Sequence, residues 1–152
     1  MFAERNLRIA AVLLAVAGLA VATYIAIAES GGGAPKCIAG GGGCETVTNS
    51  KYSDLAGVNV AVLGILGYVL LLASAAIPGD YGRFGGFLTA LIGFGFSAYL
   101  TYLELFVIDA ICQWCVASAI LMALSLAVAA TRALAYGGRE LAPPQIQSSH
   151  GR

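Results

Sequence analysis

Four apolar runs, separated by short polar or glycine-rich intervals, set the pattern of the chain: Leu7 to Ala28, Val58 to Ile77, Phe84 to Ile108 and Ile111 to Leu134. At 1.5 Å per helical residue, each is long enough to cross an apolar layer of about 30 Å. The pattern predicts an all-α membrane protein, a four-transmembrane-helix bundle with spans near residues 8–28, 58–77, 84–108 and 111–134. Ala26-Ile27-Ala28 resembles a leader-peptidase site, so a cleaved leader competes with the first span. The apolar run there is longer than the usual leader core of about 7–15 residues.

Charge orients these spans. Arg5, Arg8, Arg83, Arg132, Arg139 and Arg152 fall on one side of a four-span arrangement, and only Lys36 and Lys51 on the other. The positive-inside rule then puts both termini and the Pro78–Gly82 turn in the cytoplasm, with the protein in the inner (cytoplasmic) membrane. Beyond Leu134 the chain turns polar, with Gly137-Gly138 and Pro143-Pro144, and a disordered cytoplasmic tail over 136–152 is expected.

Composition narrows the chemistry. Of 152 residues, 59% are hydrophobic and 11% charged, against roughly a quarter charged in soluble domains, and the formal net charge is zero. Neutral balance gives no reason to expect nucleic acid. The only histidine, His150, lies in the polar tail, which argues against Ser-His-Asp, Cys-His or His-ligated zinc sites. What remains is four cysteines, all on outward segments in the predicted topology, where disulfides form and persist.

The first outer segment, about Glu29 to Gly57, carries Gly31-Gly32-Gly33 and four glycines from Gly40 to Gly43. Glycine resists ordering, so a mobile hoop bearing Cys37 and Cys44 is expected. Ser50, Ser53 and Asp54 are helix-start residues and predict a short interfacial helix leading into the second span. The other pair, Cys112-Gln113-Trp114-Cys115, opens the fourth run, where helix N-terminal N–H groups favour a thiolate. Just upstream, Glu104 and Asp109 are expected near the water interface.

Three readings of the cysteines compete: structural disulfides, a four-thiolate metal site, or a relay in which the two pairs exchange electrons. A two-residue gap closes too small a loop to staple much. The glycine-separated pair is a wide bite for tetrahedral zinc. Exchange through mixed disulfides suits one mobile and one fixed pair. A relay needs an acceptor, and a lipid-soluble quinone is the natural two-electron partner at the mouth of a bundle. Residues at the right depth to line its pocket are Asn59, Leu63, Leu66, Tyr68, Tyr102, Trp114, Ala119 and Met122.

Two stretches carry a family resemblance: Cys44-x5-Ser50-x2-Ser53-x3-Gly57-x6-Gly64-x3-Tyr68, and Leu103 to Cys115, Leu-Glu-Leu-Phe-Val-Ile-Asp-Ala-Ile-Cys-Gln-Trp-Cys. Together they resemble the vitamin K epoxide reductase family, in its bacterial single-domain branch, over roughly residues 8–135. The resemblance implies a four-helix bundle around a quinone, menaquinone or ubiquinone. It implies that Cys37 takes electrons from a periplasmic thioredoxin-fold (DsbA-like) partner and pairs with Cys44. Cys44 then forms a transient disulfide with Cys112, and Cys115 faces the quinone. Ser50 falls where the family keeps a hydroxyl near the active site. Many bacterial relatives carry a fused thioredoxin-like domain; this chain has no room for one, so a separate partner is expected. Vertebrate members have tyrosine four residues after the last cysteine, where this chain has Ala119.

Overall fold

Four long helices make up most of the chain, and the computed structural model describes residues 2–38 and 40–136. Helix α1 runs Phe2–Ser30, a short α2 covers Gly43–Thr48, α3 is Val60–Ala76, α4 is Asp80–Leu103 and α5 is Gln113–Tyr136. A π-helical turn, Glu104–Ile108, continues α4. Strands β1 (Asp54–Leu55) and β2 (Val58–Asn59) pair antiparallel just before α3.

The long helices pack in a closed ring, α1 against α3, α3 against α4, α4 against α5 and α5 against α1. Small residues on α1, α4 and α5 allow close approach, as membrane helices require: Ala15, Ala22, Ala90 and Ala129 are buried beside Tyr68, Leu71 and Met122. A Cβ at Gly18 would fall 2.0 Å from the Tyr68 ring, so only glycine lets α1 close over that side chain. The outside of the ring is as apolar as its inside, with Leu13, Ile92 and Phe84 largely exposed. A surface of this kind belongs in lipid rather than water. Among the described residues, Ala3–Ser30, Asp80–Ile108 and Gln113–Ala135 are long and apolar enough to span a bilayer. The apolar α3 is shorter, at 17 residues.

The ends of the elements differ from the sequence expectations in instructive ways. The short helix expected before the second span does not start at Ser50, Ser53 or Asp54; it starts at Gly43 and carries Cys44, so Cys44 is on a helix rather than in the glycine hoop. Ser50 bonds back, its Oγ donating to the Val47 carbonyl at 2.7 Å, instead of capping forward. Asp54 enters a hairpin whose turn residues, Ala56 and Gly57, both have positive φ, the backbone a two-residue hairpin turn demands. The second apolar run therefore spends Val58 and Asn59 on β2, and α3 begins at Val60. Asp109, with φ of 51°, adopts the left-handed conformation and ends the π-turn. This break delays α5 until Gln113. The tail beyond Tyr136, including His150 and Arg139, lies outside the described residues.

Candidate functional site

Both cysteine pairs gather at one end of the bundle. Cys37 and Cys44 are joined in a disulfide with Cα atoms 5.9 Å apart, while Cys112 and Cys115 are free thiols. Cys44 is 1% exposed and Cys112 is fully buried. What brings them together is the backbone. A Cβ on Gly43 would lie 2.4 Å from the Ile111 carbonyl oxygen, so the first turn of α2 rests directly on the residue before Cys112. Each contact residue is the immediate neighbour of a cysteine.

Cys112 stands just before α5, its carbonyl accepting from the Val116 N–H at 3.0 Å. Its own N–H donates to Glu104 Oε2 at 3.1 Å. The Cys115 thiol acts electrostatically on both the Cys112 sulfur and the Glu104 carboxylate. Donation from Cys115 holds the Cys112 thiol below its ordinary range; burial opposes this, and the N–H groups of Cys115 and Trp114 reinforce it.

Glu104 was expected at the water interface. It is instead 4% exposed, and its carboxylate accepts from the backbone N–H of Cys112, the first residue of the Cys-x-x-Cys. Sequence reasoning did not assign it to the site. The available signal was a carboxylate inside a run otherwise apolar from Leu103 to Ile108, which is costly unless it has partners.

An apolar cavity of about 140 Å³ opens beside Cys115. Of the candidate quinone residues, Leu63, Tyr68, Ala119 and Met122 line it, as does Ser50, together with Glu104. Asn59, Leu66, Tyr102 and Trp114 lie elsewhere. Leu66 and Tyr102 face outward. The Asn59 side chain caps α3 by accepting from the Ala61 N–H at 2.8 Å and donates to the Glu29 carboxylate, tying α3 to α1. Trp114 packs on Tyr24 with ring centroids 4.8 Å apart. Its Nε1 donates to the Lys36 carbonyl at 3.0 Å, so the indole between the two cysteines of one pair anchors the residue before Cys37 of the other. Asp109 is exposed at the surface and acts through its backbone.

Two thiols, a disulfide one residue away along a backbone contact, and a buried carboxylate form a centre for thiol–disulfide exchange. The sequence profile of the vitamin K epoxide reductase family matches residues 9–130, from α1 into the last part of α5. That stretch contains all four cysteines, Glu104 and most of the cavity lining, and the chain therefore belongs to the vitamin K epoxide reductase family, a family of membrane thiol oxidoreductases.

Proposed function

We propose that the chain oxidises a separate thioredoxin-fold (DsbA-like) protein on the outer face of the cytoplasmic membrane and delivers the electrons to a membrane quinone. In this reading α3 crosses the bilayer with the other three long helices, and both termini are cytoplasmic. The observation that carries the proposal is the seating of α2 on Ile111, which sets Cys44 beside Cys112 while Cys115 opens into an apolar cavity.

The lining fits a quinone ring. Apolar cavities of roughly 150 Å³ accept a benzene-sized molecule, and Leu63, Tyr68, Ala119 and Met122 supply the walls here, with the Ser50 hydroxyl as a polar group. A bound quinone supplies an acceptor for two electrons and two protons.

The partner's dithiol attacks the Cys37–Cys44 disulfide at Cys37, leaves oxidised, and frees the Cys44 thiolate. Cys44 then attacks the Cys112–Cys115 disulfide at Cys112, giving a Cys44–Cys112 mixed disulfide and a Cys115 thiolate that takes up a proton. Attack by Cys37 on Cys44 restores the first disulfide and releases Cys112 as the better leaving thiolate, in keeping with its lowered pKa. This is the arrangement of bonds in the structure, Cys37–Cys44 closed and Cys112 and Cys115 free. Re-closing Cys112–Cys115 gives up two electrons and two protons. Glu104 is placed to accept the Cys115 proton as that bond forms.

The test uses the detergent-solubilised protein, a reduced thioredoxin-fold partner and a quinone. Cys115→Ser should abolish quinone reduction, and unchanged turnover would remove the proposed donor. With Cys37 and Cys115 both replaced by Ala, so that neither can resolve it, the Cys44–Cys112 disulfide should be recovered as a crosslinked peptide in mass spectrometry; its absence would refute the shuttle.

A further inference from the structure

At the end of the bundle away from the cysteines, Glu4, Arg5, Arg8, Arg83 and Arg132 surround a second cavity of about 530 Å³, closed on one side by the turn through Pro78. Four guanidinium groups meet one carboxylate in that lining. Glu4 is committed to Arg83, which also pairs with Asp80. Arg8 donates to the carbonyls of Ala75 at 2.7 Å and Ala76 at 3.2 Å, where α3 ends. Arg132 is different. It is only 6% exposed, and its Nε has no hydrogen-bond partner among the described residues. A guanidinium keeps its charge at any physiological pH, and a buried guanidinium nitrogen without an acceptor is costly. Nothing in the thiol chemistry at the other end uses it.

We infer that this cavity binds a phosphate group, with Arg132 as its buried donor. Arg132, buried on the cavity wall with its Nε lacking an acceptor, supplies the attraction, and the planar fork of arginine matches phosphate oxygens. The cavity lies where the apolar lengths of α1, α4 and α5 give way to charge. In a bilayer that is headgroup depth, and basic pockets between helices on the cytoplasmic side suit anionic lipid headgroups. Phosphate free in solution offers the same chemistry.

Thermal unfolding of the full chain in neutral detergent separates the sources. Phosphatidylglycerol should raise Tm by a few degrees, an effect that weakens with added salt, while diacylglycerol, which lacks the phosphate, should not. A rise with inorganic phosphate alone assigns the site to a free anion, and a rise confined to phosphatidylglycerol assigns it to lipid. Arg132→Gln should lose the rise and Arg132→Lys should keep part of it, both with quinone reduction intact. Should Arg132→Gln not fold, native mass spectrometry of the unaltered protein replaces it, with phospholipid retained at low salt and shed at high salt. Equal shifts with phosphatidylglycerol and diacylglycerol, a rise that Arg132→Gln retains in full, or no retained phospholipid and no response to phosphate would overturn the assignment.

Discussion

Cys112 and Cys115 differ because one accepts where the other donates. The Cys115 S–H stabilises the charged form of Cys112, so the folded-state value of Cys112 lies below that of an ordinary thiol, about 8.5. Its thiolate is present above that lowered value and lost as pH falls through it. The ultraviolet thiolate band of the protein with Cys37–Cys44 closed should accordingly appear at lower pH than for a free cysteine. In Cys115→Ala, with the donor gone, the transition should move upward; a transition left in place would mean that another group sets it. Glu104 is the other residue on which the chemistry turns. Glu104→Gln keeps an oxygen for the Cys112 N–H, bonded at 3.1 Å, but cannot take a proton. Quinone reduction should fall by about 10²-fold or more, with the Cys37–Cys44 disulfide still forming. Full turnover in that variant would leave Glu104 a purely structural contact.

Between elements, glycines set the distances. Gly43→Ala would force α2 away from the Ile111 carbonyl, since no Cβ tolerates a backbone oxygen at 2.4 Å. In a background lacking both Cys37 and Cys115, the yield of Cys44–Cys112 crosslink should drop, although neither of the joined cysteines is altered; an undiminished yield would show that α2 need not rest on the loop. Gly18→Ala drives a methyl into the Tyr68 ring, whose hydroxyl is fixed to the Ser118 carbonyl at 2.9 Å. Overpacking of this sort costs about 1–3 kcal/mol, read as a lower Tm. A neutral result would mean that α1 can slide off α3 freely. Trp114 acts at this scale too, joining α5 and α1 to the segment that leads into Cys37.

Across the bundle, the redox groups occupy one end and Arg5, Arg8, Arg83 and Arg132 the other, and the proposed function needs those ends on opposite faces of the membrane. A cysteine introduced at Tyr81, in the first turn of α4 and 91% exposed, should react with a membrane-impermeant thiol reagent only from the cytoplasmic side. Cys37, after mild reduction, should react only from outside; labelling of both from one face would dismantle the topology and the electron path with it. The apolar runs, the arginine bias and the two cysteine pairs are legible along the chain, because hydropathy, charge and spacing are properties of residue order. It also carried the family, since the motifs around Cys44 and Cys112 are contiguous. Folding alone brings Gly43 onto Ile111, turns Glu104 inward to the Cys112 N–H, and has Trp114 tether Lys36 instead of lining the cavity. Those facts depend on which helix faces approach, and a left-handed Asp109 or a hairpin at Ala56-Gly57 resets the facing of every residue after it. The same holds for Arg132, which on the sequence is one basic residue among six on its side and among the described residues is the buried guanidinium.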